Sequence, residues 1–198
     1  DYSGATTDLK FSLAEELGYI DGFSGSATLI SNGFYNVNVI IGGSGIDQFH
    51  GRNAGAVFDL TDDTDHYTDT ASGRILDFNG LENLYGGDAS DRFNILGNHQ
   101  GNLFGQGGDD IFIFNGAYQV DGSLDGGLGS DILDYRNYNT ARAFDLIALG
   151  DLDGFNGTEA SISGEFRNMD WLMGRIPGAD EGELDTLQGL DTDSLWRI

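Results

Sequence analysis

Residues 126–134 read Gly-Gly-Leu-Gly-Ser-Asp-Ile-Leu-Asp, and residues 42–50 read Gly-Gly-Ser-Gly-Ile-Asp-Gln-Phe-His. Both stretches satisfy every position of the nonapeptide G-G-x-G-x-D-x-U-x, in which U is apolar. Two further stretches each miss one glycine: residues 86–94 carry Ala89 at the fourth position, and residues 105–113 carry Gln106 at the second. Four copies, two of them complete, are more than a glycine-rich composition explains.

The spacing of the nonapeptides indicates how the chain is arranged in space. They start at residues 42, 86, 105 and 126, so the steps are 44, 19 and 21 residues. Glycine permits the positive φ of a tight corner, and the apolar residue after each aspartate points inward from a short strand. The pattern predicts an all-β, right-handed parallel β-solenoid with inserted loops and coils of about 20 residues. One coil, between residues 42 and 86, lacks the motif. The predicted core ladder of the solenoid is formed by Phe49, Phe93, Phe112 and Leu133.

A second, longer self-similarity divides the chain into units. Asp1-Tyr2 recurs as Asp134-Tyr135, and residues 21–25 (DGFSG) recur as residues 153–157 (DGFNG). The match continues from Ile30 to Gly42, which fall on Ile162 to Gly174 without a gap. We predict a first unit over residues 1–133 and a partial second copy over residues 134–198, both belonging to a longer tandem array.

The nonapeptides resemble those of RTX (hemolysin-type) calcium-binding proteins, whose family fold is a parallel β-roll that binds Ca²⁺ between turns. Residues 81–87 and 123–135 also resemble the long repeats of very large bacterial surface or secreted adhesin-like proteins. In that family the nonapeptides follow one another directly. In this sequence other residues separate them, which favours a wider, irregular solenoid over the narrow roll. The resemblance implies Ca²⁺ as cofactor and an extracellular or cell-surface location in a bacterium.

Residue types and resemblance together define a predicted Ca²⁺ ligand set. Carbonyl and carboxylate oxygens would converge between successive corners, at the roughly 2.3–2.6 Å that Ca²⁺ prefers. The alternative is that an aspartate beside glycine supports the turn through side-chain to backbone hydrogen bonds. Asp185 is expected to have no equivalent site, because Arg175, Ile176 and Pro177 replace the glycine corner. The predicted ligands are Asp47, Asp88, Asp91, Asp109, Asp110 and Asp131, with the corner glycines Gly43, Gly45, Gly107, Gly127 and Gly129.

Composition excludes several partners. The chain has 33 Asp plus Glu against 9 Lys plus Arg, which gives a net charge of −24, whereas nucleic acids and anionic membranes require a basic surface. It has no cysteine for disulfides or thiolate metal sites. No apolar run approaches the roughly 20 residues of a membrane helix. We therefore expect neither nucleic-acid binding nor membrane insertion.

No catalytic motif appears in the sequence. His50, His66 and His99 lie outside any metalloprotease pattern, and residues 105–108 lack the lysine of a phosphate loop. The acidic loop at residues 62–69 lacks the EF-hand spacing. Carboxylates are so abundant that a pair at glycosidase distance carries no information. The sequence predicts no catalytic residues and a protein that is not an enzyme.

Segments outside the nonapeptides give weaker signals. Residues 34–41, 111–114 and 144–149 predict strands from their alternating or β-branched character. Residues 7–17 form the only convincing helix candidate, although their counterparts at residues 140–149 fit a strand at least as well. Residues 175–183, with the only proline, predict a protruding loop.

The leading functional hypothesis is a non-enzymatic, calcium-stabilised structural repeat module of a large secreted or cell-surface bacterial protein. It would serve as an adhesin stalk or as an extracellular matrix or filament element, and open sheet edges predict head-to-tail or lateral self-association. Millimolar Ca²⁺ outside the cell would order the coils, which the −24 charge would keep extended at low Ca²⁺. The alternative is the calcium-binding module of a polysaccharide-active or polysaccharide-binding β-helix protein, with surface glycans as partners. An ice-binding face is disfavoured, because no short-period Thr or Asn ladder is present.

Overall fold

In a computed structural model, which describes residues 1–16, 20–176 and 184–190, all regular secondary structure is β-strand. The strands of the first part are β1 (Lys10–Leu13), β2 (Phe23–Ala27), β3 (Ile30–Val37), β4 (Val39–Ile41), β5 (Gln48–His50), β6 (Ala56–Leu60), β7 (Asp65–Asp69), β8 (Ile75–Asn79), β9 (Asn83–Gly87) and β10 (Arg92–Ile95). They are followed by β11 (His99–Gln100), β12 (Leu103–Gly107), β13 (Ile111–Phe114), β14 (Val120–Asp121), β15 (Leu124–Leu128), β16 (Ile132–Asp134), β17 (Ala143–Leu149), β18 (Phe155–Thr158), β19 (Phe166–Met169), β20 (Trp171–Met173) and β21 (Thr186–Gln188). No stretch of these described residues forms a helix with the length and apolar character needed to cross a membrane.

Two large sheets enclose the core. Of the described strands, eleven form one sheet in the order β21-β17-β18-β19-β15-β12-β9-β5-β1-β2-β3, and eight form the other in the order β20-β16-β13-β10-β6-β7-β8-β4. Strands β11 and β14 pair separately. Rings from the two large sheets meet where Phe49 contacts Phe58, with centroids 6.0 Å apart. The parallel central strands align two rows of buried side chains, Phe49, Leu84, Leu103 and Leu124 in the first sheet and Phe58, Phe93, Phe112 and Leu133 in the second.

The prediction of an all-strand chain is confirmed, but the prediction of a single right-handed parallel β-solenoid is wrong. The sheets are mixed, because the groups β1–β2–β3, β6–β7–β8 and β17–β18–β19 are antiparallel. Short connections explain the difference: residues 28–29 join β2 to β3, and residues 61–64 join β6 to β7. A parallel neighbour needs a crossover of about a dozen residues or more, so such short links join antiparallel strands.

The motif-free coil predicted between residues 42 and 86 is also wrong. Strand β5 pairs directly with β9, and the chain between them forms the antiparallel group β6–β7–β8 in the other sheet. The core ladder changes accordingly. Phe93, Phe112 and Leu133 align as expected, but the next residue in their row is Phe58, and Phe49 lies in the opposite sheet.

Among the other segments, the strands predicted at residues 111–114 and 144–149 are confirmed as β13 and β17, and residues 34–41 form the end of β3 and β4. The helix candidate is wrong where the structure describes it, since Lys10–Leu13 is strand β1 with alternating burial. Residues 65–69 of the predicted acidic loop are strand β7, whose central residue Tyr67 is buried in the core. Most of the predicted loop at residues 175–183 lies outside the described residues.

The strand arrangement near the start of the chain recurs near its end. Strands β1, β2 and β3 pair antiparallel, as β17, β18 and β19 do, and β1 and β17 each have a parallel neighbour on the other side, β5 and β21. The backbone hydrogen bonds repeat as well: Gln48 N–H donates to Leu9 O, and Thr186 N–H donates to Arg142 O, both at 2.8 Å. The predicted boundary at residue 134 stays a prediction. We use the names first copy and second copy for residues 1–133 and 134–198.

Candidate metal centre

Three of the predicted glycine-aspartate corners stack in one column between the two large sheets. Asp91, Asp110 and Asp131 lie in the turns β9–β10, β12–β13 and β15–β16, where the chain passes from the 11-stranded to the 8-stranded sheet. The parallel register of the flanking strands places these turns side by side. All three side chains are buried. We call this row the corner column.

Each carboxylate of the corner column accepts a hydrogen bond from the backbone of the neighbouring turn. Asp91 N–H donates to Asp110 Oδ1 at 2.7 Å, and Asp110 N–H donates to Asp131 Oδ1 at 2.8 Å. Asp131 N–H then donates to Asp170 Oδ2 at 2.9 Å. The side-chain to backbone role that the sequence left open is therefore present, and in these bonds it joins successive turns.

The first glycine of each motif makes room for the carboxylate. A Cβ atom added at Gly86, Gly105 or Gly126 would lie 2.2, 2.0 or 2.4 Å from the Oδ2 atom of the aspartate five residues later. No carbon approaches an oxygen that closely without displacing it, so the glycine and the aspartate are required together. This contact explains why the motif couples its first and sixth positions.

Burial without full hydrogen bonding raises the pKa of every aspartate in the corner column. The Oδ2 atoms of Asp91, Asp110 and Asp131 are buried and have no hydrogen-bond partner. Loss of hydration is the largest cause, and it raises the pKa of Asp110 to about 8 and the pKa of Asp91 and Asp131 to about 7. Repulsion from neighbouring carboxylates adds to the effect at Asp110 and Asp131, against the hydrogen bonds from backbone N–H groups. A nearby cation would reverse this balance, because it favours the charged form.

At one end of the corner column, three carboxylates converge. One oxygen each from Asp131, Asp153 and Asp170 lies within 4.8 Å of the other two. Asp131 is fully buried, Asp153 is half-buried and Asp170 is exposed. Both Asp131 Oδ2 and Asp153 Oδ1 are buried atoms without a hydrogen-bond partner. This acidic triad could hold a metal ion.

The acidic triad joins the two copies. Asp131 belongs to the first copy, whereas Asp153, in the β17–β18 turn, and Asp170, between β19 and β20, belong to the second. Gly129 N–H strengthens the junction by donating to Asp153 Oδ2 at 3.2 Å. The sequence predicted Asp131 but missed its two partners. Asp153 stands in the repeated D-G-F segment, which was the one available signal, and Asp170 follows no motif.

Asp47 occupies a different place from the other predicted aspartates. Its turn, β4–β5, runs from the 8-stranded to the 11-stranded sheet, in the direction opposite to the corner column. Both of its oxygens accept backbone hydrogen bonds, from Leu9 N–H at 2.7 Å and from Gly43 N–H at 2.6 Å. Its second-copy counterpart Asp185 accepts from Arg142 N–H at 2.6 Å, and its Oδ1 lies 3.7 Å from Arg175 Nε. A cationic side chain therefore stands at this position in the second copy.

The remaining predicted ligands lie at the rim of the corners. Asp88 and Asp109 are exposed, and Asp109 Oδ1 accepts from Ser130 N–H at 2.9 Å. Gly127 and Gly129 adopt φ of 100° and 140°, the conformations that tight corners require. Gly45 packs against the backbone of Thr7 and Asp8, whereas a Cβ atom at Gly107 would make only ordinary van der Waals contact, 3.7 Å from Asp88 Cα. Whether these residues bind a cation stays a prediction.

The histidines do not join the acidic triad. His99 is buried, and its Nε2 lies 2.8 Å from Glu82 O. His50 stacks on Tyr85 with ring centroids 4.0 Å apart. Burial lowers the pKa of both histidines to about 4. They therefore remain neutral at physiological pH and serve as packing groups.

No protein-family model matches the chain, and neither the curated proteins nor the solved structures give a significant match.

Proposed function

We propose that the chain is a non-enzymatic structural repeat module of a large extracellular or cell-surface protein, in which Ca²⁺ bound by the acidic triad stabilises the junction between successive copies. The observation that carries the proposal is the position of Asp131. It is fully buried, it is one of three carboxylates within 4.8 Å of each other, and the other two come from the second copy. A cation there would neutralise repulsion that otherwise acts across the junction.

The donor set favours Ca²⁺ over other biological cations. All three side chains offer oxygen, and the chain has no cysteine. Ca²⁺ takes six to eight oxygen ligands in a flexible geometry, which suits three carboxylates brought together from separate turns, whereas Mg²⁺ demands a near-ideal octahedron and keeps several waters. The exposed side of the triad leaves space for water to complete the six to eight ligands that Ca²⁺ takes.

The outer aromatic residues support a structural role over sugar binding. His50, Tyr85 and Phe104 form a half-buried row on the outside of the 11-stranded sheet, with successive centroids 4.0 and 4.4 Å apart and nearly parallel planes. Ring faces that cover each other are not available to stack on a sugar. Tyr67, at the centre of β7, is buried in the core and offers no ring face to a sugar.

The proposal is tested by cation titration of the full chain. Terbium replaces Ca²⁺ and reports binding through a nearby indole, and Trp171 stands beside the triad, since its Nε1 donates to Ser130 Oγ at 3.2 Å. We expect Trp171-sensitised terbium luminescence that Ca²⁺ displaces and millimolar Mg²⁺ does not. For a Kd of about 0.1–1 mM, 5 mM Ca²⁺ should add about 1 to 2 kcal/mol to the free energy of unfolding.

A matched pair of variants assigns the site. Asp153→Asn keeps an oxygen for Gly129 N–H and removes one charge from the triad, so it should weaken binding at least tenfold, or about 1.4 kcal/mol. Asp121→Asn is the control, because Asp121 also reaches across the junction, accepting from Ser163 Oγ at 2.7 Å, but lies outside the triad. Equal affinities for the two variants, or no effect of 5 mM Ca²⁺ on the melting temperature, would refute the proposed site.

A further inference from the structure

The first and second copies present the same strands to different surroundings. In the second copy, β19 pairs with β15 and β20 pairs with β16 of the first copy, both in parallel. The corresponding strands of the first copy, β3 and β4, stand at the ends of the two large sheets in the described chain. The correspondence extends to the backbone: Asn36 in β3 and Asn168 in β19 adopt φ of 57° and 51°.

Side chains that are covered in the second copy are uncovered in the first. Ile162 and Met169 are buried, with 4% and 0% of their surface exposed, whereas their counterparts Ile30 and Val37 are only half-buried. Ile162 reaches its covered position through a parallel bridge to Val120 of strand β14. Nothing equivalent to β14 stands next to Ile30 among the described strands.

The aromatic contacts differ in the same way. Tyr135 packs edge-on against Phe144 at 5.5 Å and stacks on Phe114 at 4.5 Å. Its counterpart Tyr2 makes the first contact, to Phe11 at 5.4 Å, and no second ring from the described residues stacks on it. A cavity of about 340 Å³ opens there, lined by Tyr2, Phe11, Ile30, Phe34, Val37, Val39 and Ile40 together with Asp1.

We propose that the edge formed by β3 and β4, with this apolar cavity, is the docking surface for the β14–β15–β16 segment of another copy of the repeat unit. The incoming segment would place a phenylalanine equivalent to Phe114 on Tyr2 and a valine equivalent to Val120 on Ile30. Its strands would extend both large sheets by the pairing that β15–β19 and β16–β20 already show. This inference rests on the structural role proposed above, but not on the cation, because the contacts that carry it are apolar and backbone contacts.

The test supplies the missing segment covalently to the full chain. Residues 114–133 are duplicated directly before Asp1, so that the junction Leu133–Asp134 is reproduced as Leu133–Asp1. In the second copy Trp171 N–H donates to Asp131 O at 3.0 Å, and Ser163 N–H donates to Val120 O at 3.0 Å. The counterparts of these donors are Val39 and Ser31. Their amide hydrogens should exchange at least about tenfold more slowly in the extended chain.

The matched control carries the same extension with Leu124→Asp and Leu133→Asp in the added copy only, which places charges where the core residues would lie. It should leave exchange at Val39 and Ser31 unchanged. Unchanged exchange at Phe112, in the central strands, shows that each chain has kept its fold. Equal protection in the extended and control chains overturns the proposal.

Two further arms separate this inference from the proposed cation site. Each exchange measurement is made in EDTA and in Ca²⁺, and protection in EDTA is expected even if the acidic triad binds no metal. If the extension disrupts folding, a free peptide of residues 114–133 is added to the unmodified chain. Shifts of the Val39 and Ser31 NMR signals then support the proposal, and their absence overturns it.

Discussion

The buried carboxylate of Asp110 should make the metal-free protein lose stability as the pH rises, and Asp110→Asn should remove that loss. Asp110 is 1% exposed, and burial raises its pKa from 3.8 to about 8. Because the folded state holds the proton more tightly than the unfolded state, this group stabilises the fold most below the unfolded pKa. That stability is lost as the pH rises toward the folded pKa.

The size of the effect follows from the linkage relation. Between pH 5 and 7 the unfolded carboxyl is ionised and the folded one is protonated, so the loss is about 1.4 kcal/mol per pH unit, or about 2.7 kcal/mol over the interval. Asparagine at this position keeps an oxygen for the Asp91 N–H and does not titrate. His50 and His99, which do not act on Asp110, are present in both proteins and cancel in the difference.

Urea unfolding of both proteins in EDTA at pH 5, 6 and 7 measures this difference. We expect the free energy of unfolding of Asp110→Asn, relative to the original chain, to rise with pH by about 2.7 kcal/mol in total. Asp88→Asn, which removes the same charge from an exposed aspartate of a neighbouring corner, is the matched control. A difference for Asp110→Asn that stays constant from pH 5 to 7 would show that the carboxyl is solvated or already paired in the folded protein.

Two substitutions probe the core and the corners separately. Phe112→Ala should lower the free energy of unfolding by about 3–5 kcal/mol in urea melts, because Phe112 is fully buried and stacked on Phe93 at 4.8 Å; a cost below 1 kcal/mol would contradict the parallel core. Gly105→Ala, whose Cβ would lie 2.0 Å from a buried carboxylate oxygen, should cost about 1–3 kcal/mol by thermal unfolding. Gly4→Ala has open space and should cost almost nothing, so equal melting temperatures for the two variants would refute the packing argument.

The nonapeptides predicted the local structure of the corners and the parallel pairing between them. Phe93, Phe112 and Leu133 align because each follows a corner of the same geometry by the same number of residues, which a sequence records directly. The register between these strands is therefore set by a local feature of the chain that recurs at nearly constant spacing. Steps of 19 and 21 residues between motif starts return the chain to the same sheet position.

The overall topology could not be predicted from the same pattern. The step of 44 residues between the first two motif starts has the length of about two coils, and length alone does not distinguish a coil without a motif from an antiparallel excursion. The deciding feature is the shortness of the links, such as residues 61–64 between β6 and β7. That link lies inside the predicted acidic loop, because the polar residues around Tyr67 favour a solvated segment in the sequence although Tyr67 is buried in strand β7.

Of the three aspartates in the acidic triad, only Asp131 could be predicted from the sequence, and the reason is physical. Asp131 belongs to a motif, but Asp153 and Asp170 come near it only because β18 and β19 pair with each other and β19 pairs with β15. Such a site is created by tertiary contacts between distant segments. A sequence of one chain carries no local signal for it beyond the repeated D-G-F segment.

The β3–β4 edge of the first copy and the corresponding β19–β20 surface of the second copy differ in charge. Docking of the copies and strengthening of the contact by Ca²⁺ can therefore be assigned to different residues. In the first copy, Asp21 and Asn38 occupy the positions of Asp153 and Asp170, so a corner aspartate docked there would meet one carboxylate fewer. The apolar part of the surface is instead retained, as Ile30 and Val37 correspond to Ile162 and Met169. A neutral amide oxygen binds Ca²⁺ more weakly than a carboxylate. Docking at the β3–β4 edge should therefore depend less on Ca²⁺ than the junction between the first and second copies does. Apolar burial would then determine whether copies join, and the number of carboxylates at each junction would determine how strongly Ca²⁺ controls it.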